Sequence, residues 1–429
     1  MSLRLKFAAG GALIEGVRLA TILAILVSKA IRAAGRLTAA VADVAVAGLS
    51  RPVAAWRLQR GRPAALWAST PILVTPILAR CVERLGWRST SLVFQTYRVT
   101  SAFDLDLSRW ETRIQRRARV LHPAFRRLVL YWALLNYDVF HYFHDQGLLA
   151  APLHHGVRLD ELRLLRRAGK RVYLAAYGAD VRTRGITAAL GEPNCCSFCP
   201  APGRFCVCDE TPSQARMNQR NALATARMTT ADMGLYDPEA WPIHYWPVDM
   251  AKMAVAPPTT RTGPLKVFHA PNHPHFKGTA MLRAAVAALK ARGVEIDYRE
   301  LSGVSNAEVI AAQHDADLVA DQFIIGAYGY AALEAMAAGK PVLCFLRRPE
   351  WLAGPDCPIL SAGPADIERT LEACANGAID LAAVGRASRA WVSEHYDLEA
   401  VSQRIGRLYL RTGAWPDAIA DRLERSLEA

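Results

Sequence analysis

Short apolar runs alternate along this chain with longer segments in which apolar residues return every three or four positions. Runs of three to six such residues predict buried strands, and the longer segments predict amphipathic helices. The predicted strands include residues 64–69, 91–95, 139–143, 172–176, 244–248, 265–270, 296–301, 318–320 and 342–346. The predicted helices include residues 72–85, 128–136, 160–167, 211–227, 306–314 and 381–396. Alternating strands and helices predict an α/β protein with doubly wound parallel sheets.

The length of the chain and one proline-rich segment divide this pattern in two. A chain of 429 residues exceeds what one hydrophobic core normally fills. Three of the ten residues 255–264 are proline, which indicates a linker. We therefore predict a first domain over residues 61–250, a second over residues 264–390, and further helices over residues 391–429.

One strand–loop–helix–strand unit in the second domain carries candidate chemistry. The strand at residues 318–320 leads into a loop with Gly326 and Gly329, and a helix over residues 330–338 follows. Glycines let backbone N–H groups approach an anion, and the helix amino end adds partial positive charge. Glu334, one turn into the helix, can accept hydrogen bonds from a ribose or sugar diol. The alternative is an ordinary helix whose glutamate faces solvent.

This unit resembles a known family. Gly329 and the run Glu334-Ala-Met-Ala-x-Gly339-x-Pro341-Val are similar to the donor-site signature of GT-B glycosyltransferases, in the retaining group with many bacterial sugar transferases. The resemblance implies that Glu334 holds the nucleotide ribose. An earlier glutamate of the signature would fall at position 326, where this chain has Gly326. The group that contacts the transferred sugar in the family is therefore missing.

The same resemblance assigns residues to the phosphates of the donor. Lys277 and Gly278 match the phosphate-binding Lys-Gly of the family, and Lys277 is expected to stabilise the leaving diphosphate. Backbone amides of the glycine loop are expected to cradle phosphate. The expected donor-binding residues are Gly278, Gly326, Ala327, Tyr328, Gly329 and Glu334.

A loop in the first domain supplies two further candidates. Asp180 and Arg182 follow the predicted strand 172–176, at the edge of a parallel sheet where ligands bind. In the resembled family, a Gly-x-Asp segment at this place faces the cleft between the domains. Asp180, Arg182 and Lys277 are therefore the candidate catalytic residues. The alternative for Asp180 and Arg182 is a local ion pair with a capping role.

The resemblance also implies a fold and a function. The expected fold is GT-B, with two facing Rossmann-like domains and carboxyl-terminal helices that cross back to the first domain. The implied activity is transfer of a sugar from a nucleotide-sugar donor to an envelope, lipid or polysaccharide acceptor, with no cofactor required for catalysis. Two alternatives stay open: a nucleotide-sugar epimerase or phosphorylase of the same fold, and a non-catalytic, degenerate protein that acts as a membrane-associated scaffold.

The positive charge of the chain is concentrated near its amino terminus. The formal net charge is +13, and residues 1–130 contain 21 Lys+Arg against 6 Asp+Glu. The chain contains no helix-turn-helix, zinc-finger or RNA-binding signature, so we expect no nucleic-acid partner. The apolar context of the basic residues instead favours an anionic membrane surface.

Residues 1–60 form the most basic and apolar part of this region, and we predict an amphipathic helical segment there. The basic residues that fall on one side of its helical wheel are Arg4, Arg18, Lys29, Arg32 and Arg36. This pattern is typical of a helix that lies in a membrane interface. A helix packed on its own protein is the alternative. Because we find no signal-peptide cleavage site, we expect a cytoplasmic protein, peripheral at the inner face of the membrane.

Five of the nine cysteines lie within 14 residues, in a segment that we expect to be an insertion at residues 193–210. Cys196-x-x-Cys199 has the spacing of a metal knuckle, and Cys206-x-Cys208 supplies a second pair. These four thiolates are therefore predicted to hold a structural zinc ion or an iron–sulfur cluster. Disulfides, which need an oxidising compartment, and thiols without either role are the alternatives.

Overall fold

A computed structural model describes most of the chain. It covers residues 38–97, 100, 102–149, 151, 156–204, 206–208, 210–257 and 263–428. The five basic residues that define the predicted interfacial helix lie outside these ranges.

The first domain is built on a parallel sheet of seven strands in the order β3-β2-β1-β4-β5-β6-β7. The strands are β1 (Ala64–Ser69), β2 (Arg88–Val93), β3 (Leu105–Asp106), β4 (Val139–Phe143), β5 (Arg171–Ala175), β6 (Ala226–Thr229) and β7 (Trp241–Pro242). Every residue of β1 and β4 is buried, because helices cover both faces of the sheet. The helices are α1 (Thr38–Gln59), α2 (Val74–Arg84), α3 (Ser108–Arg117), α4 (His122–Asn136), α5 (Leu159–Arg167), α6 (Arg184–Ala188) and α7 (Glu210–Asn221), with short 3-10 helices at Arg119–Leu121 and Ala231–Leu235.

The second domain is a parallel sheet of five strands in the order β12-β11-β10-β8-β9. The strands are β8 (Leu265–His269), β9 (Ile296–Glu300), β10 (Leu318–Ala320), β11 (Val342–Cys344) and β12 (Leu360–Ser361). The helices are α8 (Pro274–Lys277), α9 (Thr279–Ala291), α10 (Asn306–Asp315), α11 (Tyr330–Ala337), α12 (Ile367–Ala375) and α13 (Leu381–Tyr396), with a 3-10 helix at Pro349–Trp351. The predicted class, two doubly wound parallel-sheet domains, is confirmed.

The last two helices, α14 (Leu398–Thr412) and α15 (Asp417–Glu428), pack on the first domain. Ile405 and Leu423 are fully buried in a hydrophobic core that also contains residues of β1 and α2. The Tyr409 hydroxyl lies 2.5 Å from Nε2 of His141 on β4. The chain therefore returns to its first domain after completing the second.

Two predicted elements are wrong. The helix predicted at residues 211–227 ends at Asn221, because residues from Ala226 onward pair with β5 as strand β6. The strand predicted at residues 244–248 is absent, and the sheet ends instead at the two-residue strand β7. His244 has φ +49°, which an extended strand cannot accommodate.

Helix α1 is tied to the first domain at both ends. Asp43 pairs with Arg127 of α4 at 2.7 Å and accepts the Tyr131 hydroxyl at 2.7 Å. Arg57 pairs with the buried Asp138 at 2.8 Å. Within the part of the chain that the structure describes, α1 is the one helix whose length and apolar composition would suffice to cross a bilayer.

Candidate active site

The glycine loop between β10 and α11 packs against the segment that follows β11. Gly326 has φ +86°, and a Cβ there would lie 2.7 Å from Cβ of Arg347. The Arg347 backbone N–H donates to the Gly326 carbonyl at 2.8 Å. Backbone conformation and space therefore both require glycine at the position where the resembled family has a glutamate.

Ala327 and Tyr328, also predicted to bind the donor, have buried side chains. The Tyr328 hydroxyl bonds to the hydroxyl of Tyr396 on α13. The Ala327 carbonyl accepts the side-chain amide of Gln322. Buried side chains leave the backbone of this loop as its means of contacting a ligand.

Lys277 and Gly278 lie where α8 ends and α9 begins, and Gly278 is left-handed at φ +73°. The Lys277 ammonium forms an ion pair with the buried carboxylate of Asp321. The Gly329 backbone N–H donates to the same carboxylate at 2.5 Å. Lys277 and the amide of Gly329, which the sequence assigns to the diphosphate, therefore converge on one anion position, and a carboxylate of the chain occupies it.

Asp321 received no role from the sequence. It directly follows β10, at the edge of the parallel sheet where ligand-binding residues cluster. That position is the signal that sequence reasoning could have used. A Cβ at Gly329 would lie 3.0 Å from the Lys277 ammonium and 3.2 Å from the Asp321 carboxylate, so glycine keeps this contact open.

Glu334 is buried on α11 and accepts a hydrogen bond from the Asn306 side-chain amide at 2.9 Å. Burial raises the pKa of the Glu334 carboxyl to about 7, and the Asn306 hydrogen bond opposes that shift. Near neutral pH this group can therefore both accept and donate hydrogen bonds. The alternative interpretation required Glu334 to face open solvent, and its burial contradicts this.

Glu334 lines a cavity of about 240 Å³ that lies between the two sheets. Ile72 and Val74 contribute from the first domain, and Asn272 from the second. Tyr330 and Ala331, which directly follow Gly329, also line the cavity. The anion position and the cavity therefore adjoin at the amino end of α11.

The structure gives Asp180 and Arg182 separate partners, so they do not form the ion pair with each other that the alternative expected. The Asp180 carboxylate accepts three backbone N–H groups at 2.9–3.2 Å. Burial raises its pKa to about 6, and these hydrogen bonds oppose that shift. The Arg182 guanidinium donates two hydrogen bonds, at 2.7 and 2.9 Å, to the buried carboxylate of Asp232. These contacts support a structural role, and a catalytic role for either residue stays a prediction.

A second cavity, of about 380 Å³, lies at the carboxyl edge of the first sheet. Asp145, which follows β4, lines it together with Asp180 and Arg220. Asp145 accepts a hydrogen bond from the Thr70 hydroxyl at 2.5 Å. Burial and the charge of Asp180 raise the pKa of Asp145 to about 7. No sequence pattern assigned a role to Asp145, because its neighbours come from distant segments.

The cysteine-rich segment lies between the domains. Its five cysteines and Arg182 line a cavity of about 70 Å³ that Phe276 of the second domain also contacts. Arg347 of the second domain donates to the Leu190 and Pro193 carbonyls at 2.8 and 2.6 Å. All nine cysteines are free thiols, and among the residues described, no three or more potential ligands stand in position to hold a metal ion.

Comparisons with known proteins identify the fold. No family model and no curated protein matches the chain. Among solved structures, sucrose-phosphate synthase from Thermosynechococcus elongatus is similar over 82% of this chain and 99% of its own, with a TM-score of 0.51 and 13% identity. The chain therefore has the predicted GT-B fold.

A second solved structure, Anabaena Alr3699/HepE in complex with UDP-glucose, is similar over 81% of this chain and 98% of its own. Its TM-score is 0.49 and its sequence identity is 12%.

Proposed function

We propose that this protein transfers a glycosyl unit from a nucleotide-sugar donor to an acceptor. The observation that carries this proposal is the cavity between the two sheets, with Glu334 in its wall and the anion position beside it. In our proposal the ribose hydroxyls of the nucleotide donate to Glu334. The diphosphate takes the place of the Asp321 carboxylate at Lys277 and Gly329. These two donors then stabilise the charge that develops on the leaving diphosphate.

A thermal-shift screen against UDP, GDP, ADP, CDP and dTDP tests the donor site. Because a ligand that binds the folded state raises its stability, we expect one base to increase the melting temperature. A labelled nucleotide sugar with that base should then yield free nucleoside diphosphate and a new glycoside. An epimerised nucleotide sugar as the sole product would indicate an epimerase. No stabilisation by any of these nucleotides would contradict the proposal.

A non-catalytic role is the second candidate, and two observations favour it. Gly326 leaves no room for the glutamate of the resembled family, and Asp321 already holds Lys277. A degenerate transferase would bind a nucleotide without turning it over. Binding without product formation across a panel of nucleotide sugars and acceptors would support this role.

We further propose that the protein lies peripherally on the inner, anionic face of a membrane, which would bring it to an envelope, lipid or polysaccharide acceptor. We call the exposed apolar residues of α1, of the 3-10 helix after α3 and of α4 the lipid face. They are Val41, Val44, Leu49, Val53, Trp56, Val120, Leu121, Leu128 and Trp132. The exposed arginines on or next to the neighbouring helix α3 are Arg109, Arg113, Arg116, Arg117 and Arg119.

Apolar side chains beside cationic ones are what binding to an anionic interface requires. The pair between Arg57 and Asp138 fixes one end of α1 to the domain. This attachment favours a helix that lies along the surface over one that crosses the bilayer. The ion pairs of α1 with the first domain also agree with the alternative of a helix packed on its own protein. The helix packs on the domain through one side and exposes apolar residues on another.

We also propose that Cys196, Cys199, Cys206 and Cys208 hold one structural zinc ion or an iron–sulfur cluster. Support comes from their position around one small cavity at the domain boundary, although metal binding would have to draw the sulfur atoms closer together than the structure places them. Metal analysis of protein purified under reducing conditions should find about one zinc ion or a visible iron–sulfur absorption. Cys199→Ser should lose it and Cys357→Ser, in the second domain, should keep it. Wild-type protein without metal would contradict this proposal.

A further inference from the structure

The cavity at the carboxyl edge of the first sheet has the size of a small-ligand site. Its volume is about 380 Å³, within the range of pockets that bind small molecules. Acidic and basic groups line it together, among them Asp145, Tyr177, Arg216 and Arg220. A polar cavity of this size can hold a hydroxyl-rich acceptor such as a sugar.

Three carboxylates line this cavity, and we take Asp145 as the one that meets a ligand, because Glu111 is already paired with His122 and Arg126. The carboxylate of Asp180, by contrast, is bound by three backbone N–H groups. Asp145 accepts the Thr70 hydroxyl on one oxygen at 2.5 Å, and the Tyr177 hydroxyl lies 3.5 Å from its other oxygen. Such a carboxylate can accept a further proton donor.

A single turn separates this cavity from the cavity that contains Glu334. Thr70, at the start of the turn, binds Asp145, while Ile72 lines the other cavity. The Ile72 N–H donates to the Thr70 carbonyl at 2.9 Å. The Ser69 hydroxyl donates to the Gly147 carbonyl at 2.7 Å, which fixes this turn against the loop of Asp145. A donor and an acceptor bound in the two cavities would therefore be neighbours.

We propose that Asp145 is the catalytic base that takes the proton of the acceptor hydroxyl. This inference rests on the proposed glycosyl transfer. The acceptor oxygen forms a bond to the anomeric carbon while the bond from that carbon to the diphosphate oxygen breaks. The electron pair leaves with the nucleoside diphosphate, and the hydroxyl proton moves to Asp145. A single displacement of this kind inverts the anomeric configuration, in contrast to the retaining group that the sequence resembles.

The surroundings of Asp145 suit this role. The titratable and charged groups that line the cavity with it are Tyr97, Glu111, His122, Arg126, His144, Tyr177, Asp180, Arg216 and Arg220. Burial, together with the charges of Arg220 and Arg227, lowers the pKa of His144 to about 3, so this imidazole is neutral. A base whose pKa is close to the working pH transfers protons most efficiently. The transfer rate should therefore rise with pH as Asp145 loses its proton.

Asp145→Asn tests the inference, because asparagine keeps the size of the side chain and an acceptor for Thr70. The probes are UDP-glucose, UDP-N-acetylglucosamine and GDP-mannose, with methanol as the acceptor. We expect nucleoside diphosphate affinity to stay within about twofold of wild type while transfer falls about 10²- to 10⁴-fold. The rise of the rate with pH should disappear in this variant. The wild-type product from these α-linked donors should be the β-methyl glycoside.

Asp106→Asn is the matched control, since Asp106 ends an edge strand of the same sheet and is exposed. It should transfer at the wild-type rate. Transfer by Asp145→Asn within about threefold of wild type, or an α-methyl glycoside product, would overturn the role of Asp145 and leave glycosyl transfer standing. Wild-type protein that binds nucleotide but forms no glycoside would overturn it as well. Wild-type protein that binds no nucleotide would overturn glycosyl transfer and this inference together.

Discussion

Asp321 occupies the position that the sequence assigns to a diphosphate. Its carboxylate accepts from the Lys277 ammonium and the Gly329 amide, and the site is buried. Because a diphosphate would replace one anion with another, the gain in electrostatic energy on binding is small. Affinity for the donor would then depend on the nucleoside, which Glu334 and the adjoining cavity would hold.

Asp321→Asn should therefore tighten nucleoside diphosphate binding. Asparagine keeps an acceptor for the Gly329 amide but no longer competes for the charge of Lys277. We expect affinity to rise roughly three- to tenfold, the effect of about 1 kcal/mol. Calorimetric titration of the nucleotide that gives the largest thermal shift measures this change. Weaker binding would show that Asp321 itself holds the donor. Asp315→Asn, at an exposed position, is the control and should leave the affinity unchanged.

Glu334→Gln should change nucleotide binding and the stability of the folded protein in different ways. Loss of the carboxylate should weaken nucleotide binding by roughly 1–3 kcal/mol, the usual range for a charged hydrogen bond. Calorimetric titration of wild type and variant near pH 8 measures it. Unchanged affinity would remove Glu334 from the nucleotide site.

The stability of the same variant should depend on pH with a defined sign. Burial raises the pKa of Glu334 in the folded protein above its value in the unfolded chain. The folded state therefore binds more protons than the unfolded chain between about pH 4.5 and 7. The contribution of Glu334 to the free energy of unfolding falls as pH rises through that window. Glutamine does not titrate, so the variant should match wild type near pH 4 and exceed it near pH 8. Denaturant unfolding at both pH values checks this, and an equal difference at both would contradict it.

Residues in local motifs were predictable, and residues in distant contacts were not. Lys277, Gly278 and Glu334 stand in sequence patterns whose spacing is set by a turn or a helix. Asp145 depends on Thr70, which lies 75 residues earlier in the chain. No sequence pattern reports a hydrogen bond between two loops that only the sheet brings together.

At the scale of elements, the proposed lipid face consists of exposed apolar residues of α1, of the 3-10 helix after α3 and of α4. Val44 and Leu128 are each more than 60% exposed, so changing them should leave the fold intact. Each buried apolar side chain contributes about 1.5–3 kcal/mol, so Val44→Ser with Leu128→Ser should weaken binding to phosphatidylglycerol vesicles by about tenfold or more. Vesicle co-sedimentation measures the loss. Val255→Ser, at an equally exposed position on the linker, should bind vesicles as wild type does. Vesicle binding by the double variant equal to that of wild type would exclude the lipid face.

The strands were predicted better than the boundaries between elements. Runs such as those of β1 and β4 are apolar throughout because both faces of the sheet are covered. The polar segment after the cysteines carries no such pattern, so β6 was not predicted and its first two residues fell inside the predicted helix. Its pairing with β5 is a long-range contact that local composition does not encode.

At the scale of the whole molecule, the stability of the first domain depends on the end of the chain. Ile405 on α14 is fully buried in the core of the first domain. Ile405→Ala should therefore destabilise that domain by about 2–5 kcal/mol. Hydrogen exchange should become faster in β1 and β4 and stay unchanged in β8. Leu289→Ala, buried in the core of the second domain, should give the reverse pattern.

If Ile405→Ala instead accelerated exchange in β8 and left β1 unchanged, α14 would belong energetically to the second domain.

The two GT-B domains themselves were predictable, because the linker prolines and the repeated strand–helix pattern are local. The packing of the last helices followed only from the resemblance, since no local pattern identifies a partner 268 residues away.

The contact of Arg347 with Leu190 and Pro193 joins the domains at a point away from the linker. Rotating one half of the molecule away from the other would have to break both of these hydrogen bonds. Among the described residues, the linker, the returning helices and a small apolar cluster of Ala231, Ala327 and Trp351 also join the domains. Separation of the domains at the Arg347 contact would also move the cysteine-rich segment, because Pro193 is its first residue.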